Sequence, residues 1–89
     1  MKIIKRSGCE VDFDITKIIA AITKGNNEVP DADKLTAAQI REIATKVENK
    51  CKVMSHAPSV EEIQDLVEDQ IMAHSAYALA RKYITYRYT

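Results

Sequence analysis

The chain has 89 residues, with thirteen Lys or Arg against thirteen Asp or Glu, so its formal net charge is zero. That length makes one small domain, and 46% apolar against 29% charged residues excludes both a disordered segment and a membrane protein. A charge balance of zero disfavours a general nucleic-acid binder, and no apolar run approaches the ~20 residues of a membrane span.

Met1 to Phe13 reads as a β-hairpin. Ile3, Ile4, Val11 and Phe13 favour strand, and Ser7-Gly8 offers a two-residue turn. That turn pairs Arg6 with Cys9, Lys5 with Glu10 and Ile4 with Val11. Ile4, Val11 and Phe13 then share the buried face with Cys9, Arg6 falls on the inner side near the tip, and Lys5 and Glu10 form an outer pair. Asp14 is a helix N-cap, followed by an apolar stripe of Ile15, Ile18, Ile19 and Ile22 that runs to about Lys24. Gly25-Asn26-Asn27 stops this helix through a left-handed cap, and residues 28–35 are a loop.

Thr36 and Gln39 form a capping box that opens a second helix, with Ile40, Ile43, Ala44, Val47, Cys51 and Met54 on one face. Ser55 to Pro58 breaks it, and Ser59 with Glu62 is a second capping box. The helix this opens turns Ile63, Leu66, Val67 and Ile71 inward and its acids outward. The chain turns at His74-Ser75, after which Ala76, Leu79, Ala80, Tyr83 and Ile84 mark a fourth helix. The abrupt close at Tyr86-Arg87-Tyr88-Thr89 suggests a domain excised from a longer polypeptide.

The neutral total hides an uneven distribution. Lys2, Lys5 and Arg6 precede any acid, Glu61, Glu62, Asp65, Glu68 and Asp69 cluster without a base, and Arg81, Lys82 and Arg87 close the chain. If the two ends meet, they make a local anion site. Chemistry beyond that is sparse. There is no glycine-rich phosphate loop, His56 and His74 have no partners at metal-ligand spacing, and no catalytic constellation or metal site is expected. Cys9 and Cys51 match no zinc or redox pattern, read as packing residues, and point to a reducing cytoplasm.

A triphosphate needs several convergent cations or backbone N–H groups. Lys5, Arg6, Lys17, Lys82 and Arg87 could supply the cations, and the helix start at Ser59 the N–H donors. Asp14 could accept from an adenine amino group, with Ile3, Val11 or Ile18 against the base. The competing readings are a solvated charged surface, a helical adaptor docking an acidic protein partner, and, disfavoured by the zero charge, a DNA-binding accessory module.

Ile3-Ile4-Lys5-Arg6-Ser7-Gly8, Val11-Asp12-Phe13-Asp14, Lys17-Ile18, the segment Pro58 to Glu68 and the closing Tyr77 to Arg87 together resemble the ATP-cone family over nearly the whole chain. Ser7 stands where Asp is commoner, and Val11 where relatives often carry a carboxylate. The resemblance implies an α+β, mostly helical fold: a four-helix bundle lidded by a hairpin or a three-stranded sheet, with a short third strand around Ala57 to Val60. It implies one ATP-cone domain over 1–89, non-catalytic alone, that binds ATP or dATP with Mg²⁺ and regulates an attached ribonucleotide reductase.

The closing helix looks most like anaerobic, glycyl-radical ribonucleoside triphosphate reductases, and the cone of a reductase-gene repressor is the alternative host. Carried over position by position, Lys5 and Arg6 would bind phosphates, Asp14 the adenine, and Lys17 with Ile18 the nucleotide. Val60 and Gln64, with Ser59 adjacent, would face the phosphates, and Arg87, or less clearly Lys82, would add a cation. Implied partners are adenine nucleotides and the host's catalytic domain, with nucleotide-dependent oligomerisation and neither membrane nor nucleic acid.

Overall fold

A computed structural model describes residues 1–87, apart from the Arg87 side chain. Strands β1 (Lys2–Ile4) and β2 (Glu10–Asp12) form an antiparallel pair, followed by helices α1 (Ile15–Asn26), α2 (Ala37–Lys52), α3 (Val60–Ala73) and α4 (Tyr77–Arg87). A short 3₁₀ turn, Asp31–Asp33, lies in the loop before α2.

The hairpin forms in a different register from the expected one. Ile3 pairs with Val11 and Ile4 with Glu10. A two-residue loop of the favoured hairpin type would need a positive φ at Ser7 or at both turn residues; here only Gly8, at φ 89°, adopts it. The loop therefore takes three residues. Gly8 N–H donates to Lys5 C=O at 2.8 Å, and Lys5 N–H to Cys9 C=O at 2.8 Å. A slip of one residue exchanges the faces. Ile3, Lys5, Val11 and Phe13 now point the same way, the outer Lys5–Glu10 pair is not made, and Arg6 and Cys9 are exposed at the loop instead of packed inward.

β1 is the middle of the sheet. On its other edge Ile4 makes a single parallel bridge to Ser59, and Ile4 N–H donates to Pro58 C=O at 2.9 Å. The third strand implied by the resemblance is thus one bridge long, and it ties the hairpin to the start of α3.

Each helix packs against two neighbours, α1 and α3 both lying beside α2 and α4. The core between them holds Ile18, Ile22, Ile43, Val47, Val67, Ile71 and Leu79, all buried. The apolar stripes read from the sequence supply it, except that Ile84 is exposed and Met54 lies beyond the end of α2 and outside the core cluster. Both capping boxes are formed, Thr36 with Gln39 and Ser59 with Glu62.

α1 does not stop at Gly25. It runs on to Asn26, and Gly25 serves packing instead: a Cβ there would lie 3.3 Å from Leu79 Cδ1 and 3.4 Å from Lys82 Cβ. The missing side chain lets α1 and α4 approach closely. Asn26 is buried, and its side chain receives the Leu35 N–H and donates to the Leu35 C=O, each at 2.9 Å. The loop before α2 is held there.

The turn into α4 is a Schellman motif. Ser75 takes φ 59°, Ser75 N–H donates to Met72 C=O at 2.8 Å, and Ala76 N–H to Ile71 C=O at 3.3 Å.

Candidate nucleotide site

Where the hairpin covers the bundle, the described residues line an open cavity of about 400 Å³. The register places Ile3, Lys5, Val11 and Phe13 on its roof, with Asp12 at the edge. Asp14, Lys17, Ile18 and Ala21 come from the start and first turns of α1, Val60, Ile63 and Gln64 from α3, and Tyr83 and Tyr86 from α4. Lys5 and Lys17 are its lysines, reaching it from two different elements.

Its carboxylates are already engaged. Asp12 pairs with Lys2 at 2.8 Å, which holds its carboxyl below the usual range and offsets its charge beside the lysines. Asp14 caps α1 through Oδ1, accepting from the Thr16 N–H at 3.0 Å and from the Thr16 hydroxyl. Those bonds lower its pKa, so it is a fixed anion at neutral pH.

Of the residues singled out from the sequence, Ile3, Lys5, Val11, Asp14, Lys17, Ile18, Val60 and Gln64 stand together around this cavity. Arg6 does not line it: its Nε donates to Glu61 Oε1 at 2.9 Å. Ser59 does not line it either; its hydroxyl accepts from the Glu62 N–H and its own N–H donates to Glu62 Oε1, each at 3.1 Å. The backbone donors expected at Ser59 are thus partly used by the cap. Lys82 lies beside Gly25, toward the other end of α1. The Arg87 side chain lies outside the described residues.

Asp12, Phe13, Ala21, Ile63, Tyr83 and Tyr86 complete the lining and were not among the expected site residues. Phe13, Ile63 and Tyr83 were legible as core. Tyr86 follows Tyr83 and Leu79 at helical spacing, a signal that could have placed it on the same face. Among the described residues no group of three or more His, Cys, Asp or Glu could hold a metal ion, and no helix is long and apolar enough to cross a membrane.

The sequence profile of the ATP cone domain matches residues 1–89. The chain belongs to the ATP-cone family. Membership carries a nucleotide-binding, regulatory role, and the similar proteins are ribonucleotide reductases. The cone is 32% identical to the ribonucleoside-diphosphate reductase subunit alpha of Chlamydia trachomatis over 98% of the chain and 9% of that protein. It is 34% identical to the anaerobic ribonucleoside-triphosphate reductase of Haemophilus influenzae, over 97% of the chain and 12% of the relative. With the vitamin B12-dependent ribonucleoside-diphosphate reductase of Thermoplasma acidophilum it shares 37% identity, over 97% of the chain and 11% of that protein. This ATP cone thus spans about a tenth of the length of the curated relatives it matches.

Proposed function

We propose that this ATP cone binds ATP or dATP in the cavity beneath the hairpin and sets the overall activity of a ribonucleotide reductase. The observation that carries the reading is the make-up of that cavity. Two lysines from separate elements share it with apolar and aromatic walls, a combination that suits a polyanion joined to a flat base. Lys5 and Lys17 take the phosphates, with Val60 and Gln64 facing them. Ile3, Val11 and Ile18 lie against the nucleoside, and Asp14 accepts from the adenine amino group through Oδ2. Mg²⁺ enters on the phosphates, since among the described residues no group of three or more His, Cys, Asp or Glu could hold it.

The host we favour is the anaerobic ribonucleoside-triphosphate reductase. The likeness of Tyr77 to Arg87 to its closing helix supports that choice, although identity alone does not separate the three reductase types. The setting is the cytoplasm, the partner is the host's catalytic domain, and oligomerisation is the route by which the signal is amplified. ATP and dATP differ by one hydroxyl. Against a polar or apolar partner this is worth about 1 kcal/mol, enough for a several-fold shift between two packings of the host.

Calorimetric titration of the chain with ATP, dATP and GTP in the presence of Mg²⁺, at two protein concentrations, tests the reading. Adenine nucleotides are expected to bind with micromolar affinity and GTP to be rejected. Absence of heat with all three removes the proposal and moves the acidic-partner adaptor ahead.

A further inference from the structure

The Asp14 carboxylate is held through one oxygen. Oδ1 accepts both the Thr16 N–H, at 3.0 Å, and the Thr16 hydroxyl, and neither bond falls on Oδ2. The backbone of Asp14 is pinned as well, its C=O accepting the Lys17 N–H at 3.1 Å. Asp14 borders the cavity, whereas Thr16 does not. Thr16 stands on the outer side of α1, where it lines a separate shallow groove with Ile19 and Thr23. Its hydroxyl is nevertheless the largest cause of the lowered Asp14 pKa, ahead of its N–H and of the Lys17 charge.

We propose that Thr16 is a positioning residue for base selection: by filling Asp14 Oδ1 with two donors, it leaves a single carboxylate oxygen to meet the base, which favours adenine over guanine. The inference rests on the nucleotide reading of the cavity and adds to it the basis of its selectivity. A carboxylate with both oxygens open accepts a fork of two parallel donors. Guanine carries such a fork on one edge, N1–H beside the N2 amino group, whereas adenine offers only its N6 amino group. An open Asp14 would therefore suit guanine better than adenine. Two donors use both lone pairs of Oδ1. The adenine amino group still finds Oδ2, but the guanine fork is left with one donor unpaired, and that mismatch costs affinity. Thr16 acts only through Asp14, so a bare polyphosphate is indifferent to it.

The test is calorimetric titration of the parent chain, Thr16→Val and Thr16→Ser with ATP, GTP and inorganic tripolyphosphate, each variant first checked for a cooperative thermal transition. Thr16→Val keeps the shape and the N–H but releases one lone pair of Oδ1, and Thr16→Ser keeps the hydroxyl. Thr16→Ala removes the same hydroxyl should the valine variant not fold. The ratio of the GTP to the ATP dissociation constant is expected to fall about tenfold in Thr16→Val, with tripolyphosphate affinity unchanged and Thr16→Ser like the parent. Without ligand, carbon NMR is expected to show the Asp14 carboxyl titrating at higher pH in Thr16→Val than in the parent. An unchanged GTP to ATP ratio in Thr16→Val overturns the proposal and leaves the nucleotide site standing. So does an unchanged Asp14 titration, or a Thr16→Ser that behaves like Thr16→Val. Equal losses for all three ligands overturn it too, by showing a structural effect. A parent chain that binds no ATP overturns the nucleotide reading itself, and the role of Thr16 with it.

Discussion

Arg6 at the hairpin tip donates to Glu61 in the first turn of α3 at 2.9 Å, joining positions 55 residues apart. The bond holds the Glu61 carboxyl below its ordinary range. Both side chains are well exposed, at 71% and 47%, so the pair adds little to stability. Its importance is positional. It turns the tip cation toward α3, while Lys5, the adjacent residue, lines the cavity.

The consequence for binding is an unequal pair. Lys5→Ala is expected to weaken ATP binding tenfold or more, and Arg6→Ala by less than about threefold, because Arg6 has Glu61 as its partner. Glu61→Gln is expected to tighten binding about twofold by freeing Arg6. Calorimetric titration of the three variants checks this. Equal losses in Lys5→Ala and Arg6→Ala would show that Arg6 leaves Glu61 for the phosphates when the nucleotide binds.

Asn26→Ala leaves both the N–H and the C=O of Leu35 without the partners that now hold them. A destabilisation of about 2 kcal/mol is expected, seen as a lower urea midpoint with the slope preserved. A change below about 0.5 kcal/mol would mean that water replaces the amide there.

Ser75 occupies the left-handed position of the turn between α3 and α4, where glycine carries no steric cost. Ser75→Gly is expected to raise stability by about 0.5 kcal/mol, the relief of the Cβ contact exceeding the added freedom of the unfolded chain. Thermal unfolding of the two proteins decides the sign.

His56 Nε2 lies 3.0 Å from Glu62 Oε2, while Glu62 Oε1 completes the cap on Ser59. The His56 contact is the larger cause, and the Ser59 N–H adds to it, in lowering the Glu62 pKa beneath 4.5. The folded state therefore binds this proton less readily than the unfolded chain. The stabilisation is present above about pH 4.5 and is lost as pH falls through the lowered folded value. Glu62→Gln keeps an oxygen for the cap and removes the titrating group. Its stability is expected to fall less steeply with acid than that of the parent, as measured by urea midpoints from pH 6 down to pH 3. Parallel acid limbs in the two proteins would assign the loss to Asp12, Asp14 and Glu61, whose pKa values are also lowered.

Much of this architecture could be read before any coordinates. The helices announce themselves because their signals are local: Asp14, Thr36 and Ser59 begin them, and the isoleucine and valine stripes fix which face turns inward. The hairpin was legible as a hairpin but not in its register, which depends on whether Ser7 accepts a positive φ, and a one-residue difference moves Lys5 from one face to the other. Gly25 and Asn26 looked like a stop signal because their partners, α4 and Leu35, are remote in sequence. The same holds at the cavity. The hairpin and α1 residues that line it lie close together along the chain, whereas Tyr86 joins them only through helix packing. The Arg6–Glu61 pair was not legible, since nothing near Arg6 in sequence points to Glu61.

The bridge from Ile4 to Ser59 also bears on the order of assembly. Two three-residue strands are too little to persist alone in water. Their remaining support is α1 and, synthesised much later, the Pro58–Ser59 segment with α3 and α4. The roof of the cavity is thus made first and closed last, and amide exchange should find its hydrogen bonds opening well before those of α2. Any molecule that clamps the roof against α1 and α3 would slow that opening, so occupancy of the cavity would be written into the lifetime of the hairpin.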